Sequence, residues 1–332
     1  MIGLRFYRFL LLGFVALAVA SLAFLFLPSL LKEPPELPIR VIRPPHEVSA
    51  LAVQGQYLWA GGQEGIYKID MNSCRCEKVS LAGQEVLDVK ALLFDPYGVL
   101  WIGSFNGLYS YDGNHLKKIK ALPDDRVNCL FLDKANRLWV GTWKGAVVLD
   151  PSGWRIYEKK DGLASDMVNV IIQDSRGWMW FGSYAVRKGG VTCWDGQKWH
   201  VFRFPEYLPN ANVCDILEDS QGRVWVAIGF VDKGGAVCFE AKNDRPVLSQ
   251  VWTVRDGLAG EKVRSLFLDS KKRLWFGSEY DGIAVYDGNS FTVITREDGL
   301  SGNEVKDMYE DLHGNFWMAT EDGITKISKG GI

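Results

Sequence analysis

From residue 48 onward the chain alternates short apolar runs with polar turns, and the alternation recurs as a unit. Each unit opens with a run such as VKALLFD or VNVIIQD, apolar on both faces, which predicts a strand buried between two neighbouring sheets. A DxxGxxW phrase follows. Its Asp is placed to accept hydrogen bonds from turn amides, and its Gly to take the positive φ that closes a hairpin. The Trp then opens a second strand, and in five units a Gly stands two residues further on (Gly61, Gly103, Gly141, Gly182 and Gly277), where a neighbouring chain can approach closely. A glycine turn leads to a third strand ending in Asp, and a hairpin leads to an outer strand such as WRIYEKK or KWHVFRF.

The tryptophans set the period. Trp59, Trp101, Trp139, Trp180, Trp225, Trp275 and Trp317 are 42, 38, 41, 45, 50 and 42 residues apart. An Asp stands six residues before six of them, at Asp95, Asp133, Asp174, Asp219, Asp269 and Asp311, and a Val six residues before each Asp. Four antiparallel strands in about 42 residues, repeated seven times, predict an all-β fold, a seven-bladed β-propeller of four-stranded blades over residues 39–332. The last unit stops after its third strand, and PIRVIRPP before the first has strand character at Ile39, Val41 and Ile42. We therefore expect a strand at 39–43 to pair with the edge at 323–328 and close the ring.

The N-terminus reads differently. Residues 9–31, FLLLGFVALAVASLAFLFLPSLL, carry no charge and are long enough to cross a hydrocarbon core of about 30 Å as a helix. Arg5 and Arg8 precede them, so the positive-inside rule places 1–8 in the cytoplasm and the repeats outside, in the periplasm of a bacterial inner-membrane protein. The rival reading is a cleavable signal ending at Ala18-Val19-Ala20, which would leave an apolar SLAFLFLPSLL on the mature chain. Residues 32–38, with Pro34, Pro35 and Pro38, form a short stem.

Composition supports the repeat reading. At 332 residues the length alone would suggest two domains, but 35 Gly and 13 Trp call for many equivalent turns and packing positions. With 38 basic against 40 acidic residues, the chain has no positive excess to neutralise phosphates, which argues against nucleic acid as a partner. Of six cysteines, Cys129, Cys193, Cys214 and Cys238 fall in apolar strand positions and read as small buried hydrophobes. Cys74 and Cys76 are near neighbours at the limit of disulfide geometry, and the sequence leaves their oxidation open.

Catalytic chemistry is sparse. The four histidines (His46, His115, His200 and His313) have no metal-ligand spacing, and the repeated Asp residues recur at one turn position, so they read as turn caps. No nucleophile elbow, phosphate loop or dinucleotide fingerprint is present in the sequence, and no cofactor is implied. The expectation is a protein that is not an enzyme, with a propeller lyase or glycan hydrolase as the catalytic alternative.

The connection between second and third strands carries more. Phe105, Trp143 and Tyr184 stand four residues after their unit's Trp, and Phe230 and Tyr280 five after theirs. In a propeller these connections surround one mouth of the central channel. An aromatic rim suits a glycan or another amphipathic ligand, with Arg187, Lys188 and Lys233 among the charged neighbours that would orient it. The competing reading is that the same side chains fold back to pack between blades. Lys90, Asn128, Asn169, Arg264 and Lys306, at the starts of first strands, are placed to face the same mouth, with Asp215 and Asp307 tempering any anion preference. Units four and five have longer connections, YAVRKGG and GFVDKGG.

The phrases DPYGVLWIGSFNGLYSYD, DSRGWMWFGS and DSKKRLWFGSEYDGIAVYD, with the interleaved DGLxxxxV, resemble the two-component regulator propeller repeat over about residues 46–328. That resemblance implies the periplasmic sensor portion of a membrane-bound regulator. The family commonly continues into a sandwich domain, a second membrane helix and a histidine kinase or other output, so the expectation here is output in a separate signalling partner. A structural scaffold of an envelope complex is the alternative.

Overall fold

The computed structural model describes residues 38–150, 153–184, 188–230 and 233–331. The apolar segment 9–31, the stem up to residue 37 and Arg187 lie outside the described residues. Among the described residues no helix is long and apolar enough to cross a membrane. The described chain is seven four-stranded antiparallel sheets with three single-turn 3-10 helices between them, the seven-bladed all-β propeller read from the repeat.

Blades one to six each run in chain order from inner to outer strand, for example Val89–Phe94, Leu100–Ser104, Gly107–Tyr111 and Leu116–Ile119 in blade two. Blade seven takes Val305–Glu310, Phe316–Thr320 and Gly323–Ile327, and its outer strand is Ile39–Ile42, paired antiparallel from Ile39 with Ile327 to Ile42 with Ile324. The Arg43 guanidinium adds a hydrogen-bonded ion pair to Asp322 at 2.9 Å beside this seam.

The repeated Asp does more than cap its turn. In blade four one Asp174 oxygen accepts from the amides of Arg176 and Trp178, while the other accepts the indole N–H of Trp180 at 3.1 Å. The same indole bond, at 2.9–3.1 Å, joins Asp95 to Trp101, Asp133 to Trp139, Asp219 to Trp225, Asp269 to Trp275 and Asp311 to Trp317. A buried Trp brings a donor that must be satisfied, and the turn carboxylate satisfies it. Blade one is the exception. Its first hairpin is one residue shorter, pairing Val53 with Leu58 where blade two pairs Phe94 with Leu100, and its Gln54, Gly55 and Gln56 carry no carboxylate; among the described residues the buried Trp59 indole N–H has no partner.

Blades meet through the glycine after the Trp. A Cβ built on Gly103 would lie 2.6 Å from Val127 Cγ1, and one on Gly61 2.5 Å from Val89 Cγ1, so the next blade's leading Val occupies the space a side chain would need. The Trp rings continue the seam, packing on the next blade's Phe94, Phe181, Phe239, Phe276 or Phe316. The spacing of 50 residues around blade five goes into its outer hairpin, Lys233–Lys242 with Arg245–Trp252, closed by Asn243 and Asp244 at φ 51° and 56°. In that blade the second and third strands stay paired as far as Phe230 with Lys233, which accounts for the length of the connection.

The six cysteines are free thiols, and among the described residues no His, Cys, Asp or Glu group has the arrangement of a metal site.

Candidate functional site

First strands of blades two to seven begin with a bulge directly after the leading Val. The extra residue leaves the ladder and turns its side chain toward the channel mouth. With Ser49 from blade one, these residues (Lys90, Asn128, Asn169, Cys214, Arg264 and Lys306) all line one cavity of about 300 Å³, together with Phe105, Trp143, Met167 and Tyr184. Each of the seven blades therefore contributes one residue from the start of its first strand to the mouth of the channel.

The rim aromatics are held in place. Trp143 donates its indole N–H to Asn128 Oδ1 at 3.2 Å, and the Arg126 guanidinium covers its ring at 4.1 Å. Arg126 is itself fixed by two bonds to Asp124. Phe105 meets Trp143 edge to face at 6.3 Å, and Tyr184 meets Phe230 likewise at 6.4 Å. These contacts pair neighbouring blades at the surface and leave Phe105, Trp143 and Tyr184 lining the cavity, so packing and mouth lining coexist. Among the described residues the Tyr184 hydroxyl has no hydrogen-bond partner, and burial raises its pKa.

The other residues singled out in the sequence are placed elsewhere. Phe230 is 36% exposed behind Tyr184, outside the cavity lining. Tyr280 is 60% exposed and donates to Glu279 at 2.8 Å. Lys188 and Lys233 are exposed, and their backbone carbonyls accept from Arg203 and Asn210. Arg187 falls outside the described residues.

Ionic contacts run along the rim from blade six to blade one. Lys262 pairs with Glu279; Arg264 lies 3.4 Å from Glu279 and 2.9 Å from Glu304; Lys306 lies 3.4 Å from Glu304 and 2.6 Å from Glu47. Burial pushes the Glu47 carboxyl up, but Lys306 and the Gln63 amide outweigh it and hold it below its ordinary value. For Glu279, too, burial is outweighed, there by hydrogen bonds from Lys262 and Tyr280.

Polar side chains of the mouth ring and of the residues just after it tie five blades to the next. Asp215 accepts from the Leu266 amide at 2.8 Å and Asp307 from the Leu51 amide at 2.7 Å. Asn128, Asn169 and Ser265 donate to the carbonyls of Val168, Val213 and Val305. Burial, against two backbone hydrogen bonds, pushes Asp215 up to about 7 with a contribution from nearby Asp307, and pushes Asp307 up to about 6. Asp215 thus joins blade five to blade six, and Asp307 joins blade seven to blade one across the ring's closure.

Sequence reasoning missed Ser49, Met167 and Cys214. Cys214 sits in an apolar run and reads as a core residue, yet the bulge turns it into the mouth, where its thiol donates to the Gly229 carbonyl at 3.8 Å. The signal that would have found it was positional, since it follows the leading Val as Lys90 does.

The family model of the two component regulator propeller matches residues 121–144, 162–185, 207–229 and 257–280. No curated protein matches the chain. Among solved structures, the chain is similar to the extracellular domain of a protein assigned as a hybrid two component system in B. thetaiotaomicron (TM-score 0.76, 23% identity, covering 90% of this chain and 42% of that one). It is also similar to PorZ, a surface component of the type-IX secretion system of Porphyromonas gingivalis (TM-score 0.64, 14% identity, 88% and 48% covered). A third is virginiamycin B lyase from Staphylococcus aureus (TM-score 0.65, 13% identity, 87% and 98% covered). The chain spans less than half the length of the first two, and at these identities the likeness is one of fold. The family model thus matches the first two strands of four of the seven blades, blades three to six.

Proposed function

We propose that this propeller is the sensory input of a two-component-type signalling system, recognising its ligand or protein partner at the channel mouth. The observation that carries the reading is the mouth itself: six bulges and Ser49 of blade one deliver side chains of five different kinds to equivalent positions, beside aromatics fixed by Asn128 and Arg126. A scaffold built only for rigidity would gain nothing from breaking its symmetry there. The repeat family and the likeness to an extracellular domain assigned to a hybrid two component system support a sensory role.

On this reading the apolar segment 9–31 anchors the chain in the bacterial inner membrane with the propeller in the periplasm, and a membrane histidine kinase or another signalling protein supplies the output. Recognition is favoured over catalysis because the rim carboxylates Glu47, Glu279 and Glu304 are each committed to Lys or Arg partners. Crosslinking the full chain in its native membrane, followed by mass spectrometry, tests the assignment. The expected product contains a kinase or other signalling protein. A stoichiometric envelope assembly without one would replace the proposal with a scaffold role.

A further inference from the structure

The mouth is uneven around its circumference. In blade order from six round to five, its first-strand ring reads Arg264, Lys306, Ser49, Lys90, Asn128, Asn169 and Cys214. The three cations thus share the arc of blades six, seven, one and two, while Phe105, Trp143, Met167 and Tyr184 occupy the arc of blades two to four. The site is amphipathic, charged on one side and flat and apolar on the other.

Two of the cations are already compensated. Arg264 lies between Glu279 and Glu304, and Lys306 between Glu47 and Glu304. Lys90 stands apart: among the described residues it has no ion pair and no hydrogen bond, and its ammonium sits 5.0 Å from the Phe105 ring centroid. It is half-buried, and burial lowers its pKa. A cation partly removed from water with no paired carboxylate, only the more distant Glu47 and Asp88 acting on it, is costly to hold, and an anion delivered to it from outside lowers that cost. Any such anion at Lys90 meets Phe105 at once, with Trp143 edge-on beyond it.

We infer that the mouth selects small organic carboxylates carrying a flat ring, the carboxylate held by Lys90 and the ring laid against Phe105, Trp143 and Tyr184. The inference rests on the reading of the mouth as the recognition site and adds the chemical class of what enters it. The unpartnered Tyr184 hydroxyl supplies a further hydrogen bond for a polar substituent on the ring.

The test is calorimetric titration of the full chain with two matched pairs: N-acetyltryptophan against N-acetyltryptophanamide, and phenyl glucuronide against phenyl glucoside. Each pair keeps the ring and exchanges a carboxylate for a neutral group, and the two pairs separate a peptide-like source from an acidic sugar. At least one acid should bind 10-fold or more tightly than its neutral partner. Lys90→Gln should erase that preference and Lys90→Arg should keep it. Equal binding of acid and neutral probe, weakened by Trp143→Ala, would overturn the anion selectivity and leave the mouth a binding site. A preference that survives Lys90→Gln would overturn the assignment to Lys90. Binding of none of the four probes would overturn the inference, while the recognition reading is judged separately by crosslinking.

Discussion

Asp174→Asn isolates the bond between turn and indole that recurs through the ring. Asp174 is fully buried and accepts three hydrogen bonds, from two turn amides and from Trp180. Asn keeps the shape, but if its oxygen stays with the amides its NH2 faces the indole N–H, a donor against a donor. Leaving a buried donor unsatisfied costs about 1–3 kcal/mol, and losing the charge on the acceptor weakens the two amide bonds by about 1 kcal/mol together. Arg176, 3.9 Å from the carboxylate and part-exposed, adds little. The expected loss is about 2–4 kcal/mol, which at about 2 °C per kcal/mol for a ring of this size lowers Tm by about 4–8 °C. Thermal unfolding followed by near-UV circular dichroism measures it. Trp180→Phe removes the donor, so the double variant should fall short of the summed single effects by at least about 1 kcal/mol. A Tm for Asp174→Asn within about 1 °C of the parent, or strict additivity in the double variant, would refute the reasoning.

Three further outcomes follow from the same geometry. Gly103→Ala places a Cβ 2.6 Å from Val127 Cγ1 and should cost about 1–3 kcal/mol in denaturant unfolding, partly restored by adding Val127→Ala. Because Asp215 and Asp307 titrate at about 7 and about 6 in the folded ring, above the ordinary carboxylate range, the folded state holds protons the unfolded chain has released. Their contribution to stability therefore falls as pH rises from about 4 to 7; Tm should be lower at pH 8 than at pH 5, and Asp215→Asn should flatten the difference, whereas a rising Tm would contradict it. A chain beginning at residue 46 loses the Ile39–Ile42 strand and the Arg43–Asp322 ion pair, and its melting temperature should drop by about 10 °C, with unchanged melting excluding a closing role for the strand.

The blade count was legible because Trp, Asp and Val recur at fixed offsets, and a period of about 42 residues admits few architectures. The indole bond was less legible: the Asp was read from its turn, and only the folded hairpin brings its second oxygen to a Trp six residues away. Blade one shows the dependence, since its hairpin is one residue shorter and carries Gln54-Gly55-Gln56 with no Asp, and Trp59 lacks that partner. At the mouth, Phe105, Trp143 and Tyr184 were legible as residues at one connection of successive blades. Tyr280 stands one residue further from its blade's Trp, with Glu279 at the equivalent position, and it turns to solvent through its bond to Glu279. Cys214 was obscured for the opposite reason, because apolar periodicity carries no mark of the bulge that brings it to the mouth while it still packs on the core.

The central claim is that recognition takes place at the channel mouth, and site-specific photo-crosslinking tests it most directly. Benzoylphenylalanine is placed at position 105, on the cavity lining, and separately at position 293, exposed on the outer strand of blade six. After irradiation in the native membrane, the account predicts a discrete adduct or partner crosslink from position 105 that Lys90→Gln diminishes, and none from position 293. Crosslinks confined to position 293, with position 105 unreacted, would contradict it.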